Sequence, residues 1–440
     1  MDWWMTLLLI VGGLVLLILL RVPVAFAFLA VNIVAAIFVF GGMDGLEQLI
    51  TSMRRALGNF SLAAVPPFIF MGEIMFRAGI APQMIEAIDR WLGRLPARLG
   101  LLAVGSGTLL STLTGSSMAS TAMLGSTLLP EMERRGYKSQ LTFGPILGAG
   151  GLAVMVPPTA LGVLVASLAR VPVGDFLLGI IIPGLLIAAL LAVYIIGRGV
   201  LQPHLVPSYE PDPSSLRDRT LGLVKYVLPI GIVIFFVIGV IVLGIATPTE
   251  SGATGAFATL VLAALYRRLN GEVLVRAVRG TLRISVMMLM IVAGSTAFSQ
   301  ILSFSGVTRE LISVVGGLEA SDLVILLLMQ FIVLVMGTFM ESLSIMLVVL
   351  PIYMPIAQEL GFDLLWFTIL LLINIEASMI SPPFGLSLFV MRGVAPDHFT
   401  MGQIYASALP LIAIYAATMA LVIALPEIAT WLPSLSEPAR

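Results

Sequence analysis

Apolar runs long enough to cross a hydrocarbon core of about 30 Å recur along the whole chain, separated by short polar breaks and by glycine and proline. Residues 4–20 form the first run. Pro23 opens the second, in the first-turn position where proline is tolerated, and Gly41-Gly42 stops it. Segment 44–57 mixes Leu46, Leu49, Ile50, Met53 and Leu57 with Glu47, Gln48, Arg54 and Arg55, which predicts an amphipathic helix lying in the membrane interface. A further span covers 61–76, with Pro66-Pro67 near its start. A second surface helix covers 82–92, with Arg90, Arg94 and Arg98 trailing. Residues 99–129 are broken at Gly115-Ser116-Ser117 into two arms too short for full crossings, which predicts a re-entrant hairpin. The charged stretch 130–138 returns to water. Residues 141–168 are interrupted at Pro157-Pro158, 176–196 are an unbroken span, and the proline-rich stretch 198–218 is the best internal boundary.

The breaks carry the functional argument. A helix in lipid cannot open without leaving backbone N–H and C=O groups unpaired. An opening is tolerable where it is buried in protein or lines a wet cavity, as at the ion or substrate site of a secondary transporter. The stretch 108–158 is read as half of such a site.

The second half repeats the first in one register. Pro23 and Pro248, Pro130 and Pro355, Gly136-Tyr137 and Gly361-Phe362, and Pro157-Pro158 and Pro382-Pro383 all stand 225 positions apart. Gly79 and Gly306, and Pro183 and Pro410, stand 227 apart. This predicts an internal duplication, with repeats at 1–197 and 223–426, a linker at 198–222 and a polar tail at 427–440. The second hairpin is centred on 337–341, the amphipathic segment 271–283 stands where 44–57 stands in the first half, and the last span runs over 404–425. About five crossings and one hairpin per half make the count odd, which inverts the second half. The expected fold is an all-α polytopic membrane protein, an inverted-topology repeat with two re-entrant hairpins and two interrupted helices. Basic residues cluster in equivalent places of both halves, so the positive-inside count leaves the orientation of the termini open.

Composition closes off other classes. Of 440 residues, 59% are hydrophobic and 11% charged, with mean hydropathy +1.09, and the apolar runs do not alternate as barrel strands would. A formal net charge of −1 without a basic block argues against nucleic acid. The absence of cysteine removes disulfides, thiolate nucleophiles, iron–sulfur clusters and cysteine zinc sites. His204 and His398 are far apart and make no haem or zinc case, and no acid–base set assembles, so an enzyme is not expected. No GxxxxGK[ST] loop is present for ATP hydrolysis. The start lacks a basic n-region and leads through Arg21 into the next span, so it reads as a retained span, with Arg21 snorkelling to the interface. Trp3 and Trp4 suit either an interfacial belt or an assembly partner.

At a broken helix one stump presents carbonyls and the other amides. Carbonyl and hydroxyl oxygens are hard ligands, suited to a small cation such as sodium, whereas an amide-rich helix start favours a carboxylate. The first half offers Gly115, Ser116 and Ser117 at the tip, and Val156, Pro157, Pro158 and Thr159 at the interruption. Either these converge on a ligand, or Gly115-Ser116-Ser117 is a tight loop of small packing residues. The second half offers Gly337 to Ser342, and Met379, Ser381, Pro382 and Gly385. Glu341 replaces the serine of the first tip. An intramembrane carboxylate is a functional candidate, whether it orients the loop, ligates a cation or carries a proton. Glu376, Asn374, Glu73, Asn32 and Glu250 either face the cavity or hold helices together. The methionines, among them Met287, Met288 and Met379, suit packing or sliding surfaces.

Several stretches carry a resemblance across almost the entire chain. They are Pro66-Pro67-Phe68-Ile69-Phe70-Met71-Gly72, Gly115-Ser116-Ser117-Met118-Ala119-Ser120, Pro130-Glu131-Met132, Gly136-Tyr137, Pro157-Pro158, Ile182-Pro183-Gly184, Thr247-Pro248-Thr249-Glu250 and Pro382-Pro383-Phe384-Gly385-Leu386-Ser387-Leu388-Phe389. With them the chain resembles the large membrane (permease, DctM-like) subunit of tripartite ATP-independent periplasmic (TRAP) transporters. Ala119-Ser120 and Ser381 depart from the family's usual threonines but keep the hydroxyl.

The resemblance implies an elevator-type secondary transporter of the ion-transporter type in a bacterial or archaeal inner (cytoplasmic) membrane, importing organic acids such as dicarboxylates by sodium symport. It implies scaffold helices in 1–95 and 223–285. The moving parts are hairpin 99–130 with broken helix 140–168, and hairpin 321–357 with broken helix 364–391. It implies a separate small four-helix (DctQ-like) subunit, a periplasmic (DctP-like) substrate-binding protein, the organic acid and membrane lipid as partners. Two Na+ sites are implied, one from Gly115, Ser116, Ser117, Val156 and Pro157, the other from Gly337, Glu341, Met379, Pro382 and Gly385. The substrate would meet Ser116, Ser117, Thr159, Glu341, Ser342 and Ser381. The alternative is a stand-alone ion-coupled organic-anion transporter that needs no binding protein.

Overall fold

The structure is a computed structural model that describes residues 3–20, 22–93, 95–206, 215–317 and 320–435. Arg21, Arg94 and the prolines Pro207, Pro211 and Pro213 of the boundary stretch lie outside the described residues. Among the described residues all regular structure is helical.

Burial is graded from the centre outward. In the broken helix Ser139–Met155 every residue from Leu141 onward is buried, and in its counterpart Leu364–Met379 every residue from Trp366 onward. A helix apolar all round belongs in a core. At the periphery, Leu216–Tyr226 buries nothing and Leu228–Val242 buries only Ile230, Val233 and Val237, so their apolar faces are left for lipid or a partner. Among the described residues, five helices are long and apolar enough to cross a membrane, or up to seven if each bent pair counts as one span. Trp3–Ile18, Val24–Val39, Asp322–Gly337 and Leu364–Met379 are shorter apolar helices.

Both expected hairpins and both interrupted helices are present. The first hairpin pairs Arg98–Thr114 with Ser117–Arg134, and the second pairs Asp322–Gly337 with Ser342–Glu359. The first interrupted helix bends by 53° between Met155 and Ala160, and the second stops at Met379 and resumes at Leu386. The repeat register also holds in the backbone: Gly136 and Gly361 both have positive φ (82° and 71°), as do Gly79 and Gly306 (64° and 80°).

Three expected boundaries shift. Residues 271–283 are not a separate surface helix but the start of one 34-residue helix, Gly271–Phe304, so the expected scaffold limit at 285 falls inside it. The first-half equivalent is broken because Gly58 and Pro66-Pro67 interrupt it, giving Met43–Leu57 and Leu62–Arg77 at 58°. Their counterparts 225 positions on are Arg283, Ile291 and Val292, which leave the helix intact. The linker 198–222 is shortened from both ends, by Ile181–Leu201 and by Leu216–Tyr226. The tail contains the helix Glu427–Ser434, which buries Ala429 and Pro433.

The long helix holds the outer and inner parts together. Asn32 Nδ2 donates to the Gly294 carbonyl at 2.7 Å, Phe28 packs edge-on to Phe298 at 5.3 Å, and Ser295 Oγ donates to the Leu347 carbonyl at 2.8 Å. Close approach elsewhere depends on glycine. A Cβ on Gly184 would strike the Met155 carbonyl, the last of its helical segment, whereas a Cβ on Gly197 of the same span would meet nothing within 4 Å. Gly184→Ala should therefore lower unfolding stability by about 1–3 kcal/mol, and Gly197→Ala should stay within about 0.5 kcal/mol of the parent. Thermal unfolding of the purified variants in detergent measures the difference.

Candidate functional site

The two hairpin tips meet at one carboxyl group. Glu376, on the broken helix Leu364–Met379, is fully buried. Ser117 Oγ donates to its Oε2, and Ser342 Oγ donates to its Oε1 at 3.2 Å. Ser117 and Ser342 are the first residues of their helices and stand 225 positions apart, so they are the same position of the two repeats. The repeat counterpart of Glu376 is Gly151, and a Cβ there would lie 3.8 Å from Glu376 Oε2 and would collide with the Tyr415 hydroxyl. Equivalent points of the two broken helices thus touch, and only one of them carries a side chain.

Over this junction lies a cavity of about 320 Å³. Both hairpin tips form one wall, through Gly115, Ser116, Ser117, Met118, Glu341 and Ser342. The opposite wall comes from Val65–Arg77, through Phe68, Gly72, Glu73 and Phe76, and from the long helix, through Ile284, Met287 and Met288. The lining is mostly apolar with a few hydroxyls and two acids. Arg77 Nε donates to Glu73 at 2.5 Å, and the Glu73 carboxylate lies against Gly280, where any Cβ would strike it. Glu341 caps the helix Ser342–Glu359 by position without a capping hydrogen bond, and its carboxylate has no partner among the described residues.

The expected site residues fall into two groups. Gly115, Ser116, Ser117, Glu341, Ser342 and Met379 line the cavity. Val156, Pro157, Thr159, Gly337, Ser381, Pro382 and Gly385 are not among the residues that line it. The Thr159 hydroxyl accepts from Gly162 N at 3.4 Å as a helix cap, and Ser381 Oγ donates to the Ala377 carbonyl at 2.8 Å, so both hydroxyls are engaged within their own helices. Each tip nevertheless faces its own interruption. A Cβ on Gly115 would be 4.0 Å from Thr159 Oγ1, and one on Gly337 would strike Ser378. Gly385 lies against the Met379 carbonyl, 2.7 Å from the position of a Cβ. Pro157-Pro158 and Pro382-Pro383 are both cis.

The open alternatives for the remaining polar residues resolve individually. Glu376 joins the tips and Glu73 lines the cavity. Asn32 holds two helices, and Asn374 Nδ2 donates to Gln330 O at 2.6 Å. Glu250 closes a capping box with Thr247. Arg77 was not singled out from the sequence. Its spacing of four from Glu73 was the available signal.

The family model "Tripartite ATP-independent periplasmic transporter, DctM component" matches residues 11–428. The chain belongs to the DctM family. It is the large permease subunit of a TRAP transporter, a multi-pass membrane protein and not an enzyme. Among curated relatives of this DctM-family chain, the C4-dicarboxylate TRAP transporter large permease protein DctM of Pseudomonas aeruginosa is 29% identical over 395 residues, 89% of this chain and 90% of that one. The ectoine TRAP transporter large permease protein TeaC of Halomonas elongata is 26% identical, covering 96% of this chain and 97% of that one. The isethionate TRAP transporter permease protein DctMQ of Oleidesulfovibrio alaskensis is 28% identical over 92% of this chain but only 65% of its own length. The solved YdaH transporter of Alcanivorax borkumensis shares the fold at TM-score 0.64 and 16% identity, over 87% of this chain and 90% of that one. MtrF of Neisseria gonorrhoeae does so at 0.60 and 15%, over 86% and 84%.

The donors present fit a small hard cation. Among the described residues no three His, Cys, Asp or Glu side chains gather, so any ion would be held by hydroxyls, carbonyls and at most one or two acids. The unpartnered Glu341 and the Ser116, Ser117 and Ser342 hydroxyls are such donors.

Glu376→Ala should leave the Ser117 and Ser342 hydroxyls without their acceptor and lower stability by about 3 kcal/mol. Hydrogen exchange should rise at both tips together, around residues 115–119 and 338–343. A rise at one tip alone would show that the carboxyl does not couple them.

Proposed function

We propose that this chain is the membrane-embedded translocating subunit of a sodium-coupled importer of organic acids. A periplasmic binding protein delivers the acid, and a small membrane subunit completes the assembly in the inner membrane. The observation that carries this reading is the cavity between the paired tips and the outer helices, with an unpartnered carboxylate on its wall. An organic anion in a cavity lined by Glu73 and Glu341 needs compensating positive charge. Arg77 offsets Glu73. A cation at Glu341 and the tip hydroxyls would offset the rest, which makes anion binding dependent on the cation and is the physical basis of symport.

Alternating access of the elevator kind is favoured by the same layout. One cavity wall belongs to the two hairpins joined at Glu376, and the other to Val65–Arg77 and the long helix. A ligand at such a boundary travels with the hairpin side when that side slides. Carboxylate cargo is in keeping with the names of relatives that handle C4-dicarboxylates and ectoine. The relative named DctMQ is longer than the region matched here, consistent with a small subunit that can be fused or separate.

Proteoliposomes containing this chain and its small subunit, supplied with binding protein loaded with labelled organic acid, should take up label only under an inward sodium gradient. Glu341→Gln should raise the sodium concentration for half-maximal uptake about tenfold or more, the effect of losing one charged donor in a poorly solvated site. Uptake without the binding protein would point to a stand-alone anion transporter. Uptake driven by a proton gradient and indifferent to sodium would overturn the cation assignment.

A further inference from the structure

The long helix Gly271–Phe304 changes character at Arg283. Residues 284–304 carry no charge, and at 1.5 Å per residue they span about 31 Å, the thickness of a hydrocarbon core. With that stretch across the hydrocarbon core, Arg283 would fall at the depth of lipid phosphates, with Arg279 one turn further out on the same side of the helix. Arg276, the next basic residue, is bound to Glu272. Neither Arg279 nor Arg283 pairs with an acid among the described residues.

Inward from Arg283 runs a second cavity, a groove of about 710 Å³ between the long helix and the start of Val24–Phe40. Its walls include Phe26, Leu282, Val286 and Met290, all exposed, and the second hairpin contributes Glu341 and Leu343 to its lining. A cationic mouth and an apolar floor together suit an amphiphile with an anionic head.

We propose that this groove binds one anionic phospholipid, with its phosphate on Arg279 and Arg283 and an acyl chain along Val286 and Met290 reaching the second hairpin tip. The chain end would fill the space beside that tip, so the lipid would act on the part of the protein that carries Glu341. The inference concerns binding and does not depend on the substrate or coupling ion.

Native mass spectrometry of the purified full chain, with phosphatidylglycerol and phosphatidylcholine in equal amounts, tests it. Two guanidinium contacts should give phosphatidylglycerol about a tenfold or greater preference. The double variant Arg279→Ala/Arg283→Ala should lose that preference and Arg279→Lys/Arg283→Lys should keep most of it. Val286→Trp, which fills the groove with both arginines intact, should reduce phosphatidylglycerol binding. The proposal is overturned if the parent chain shows no preference, or if the double alanine variant retains it. It is equally overturned if Val286→Trp leaves phosphatidylglycerol binding unchanged.

Discussion

A carboxyl group with no access to water has to find its hydrogen bonds inside the protein, and that requirement at Glu376 organises the centre of this transporter subunit. Its two oxygens are served by two hydroxyls, one from each hairpin, each at the start of a helix whose amide end favours negative charge. If one hairpin were displaced alone, the acid would lose half of its partners. The two tips are therefore held as a pair, and the wall of the cavity they share is a single object. The bonds from Ser295 to Leu347 and from Asn374 to Gln330 brace the helices around this point.

Much of this was readable in the chain itself. Glycine and proline inside apolar runs can survive only in a protected setting, so Gly115-Ser116-Ser117 and the two proline pairs identified hairpins and interruptions without any coordinates. The nearly constant spacing of breakers, 225 to 227 positions, identified the repeat. The continuous helix Gly271–Phe304 was less legible, because an amphipathic segment was assigned by analogy with 44–57 although the residues that break the first copy are missing from the second. Propensity at Arg283, Ile291 and Val292 decided the outcome where analogy did not.

The site was legible in part for a similar reason. Residues at the tips were identifiable because the break itself marks them. Which hydroxyls face the cavity was not, because serine and threonine can equally satisfy their own helix. Thr159 and Ser381 do so, while Ser117 and Ser342 do not. Glu376 was visible only as one of several buried polar candidates. Its distinction lies in a three-dimensional coincidence between residues 34 and 259 positions away. The opposite cavity wall, from Phe68 to Phe76 and Ile284 to Met288, looks from sequence like any packed helix surface.

The contact between Glu376 and Gly151 has a consequence for how such a chain can have arisen. If two identical half-length polypeptides had once paired in this arrangement, the touching positions would have held the same residue. Two acids would repel, and two glycines would leave Ser117 and Ser342 without an acceptor. An arrangement with the acid on one side and room for it on the other is open only to a molecule whose halves can mutate independently. Once that divergence has occurred, neither half can form the junction with a copy of itself. The asymmetry at this single crossing point ties each half to the other half and no longer to a copy of itself.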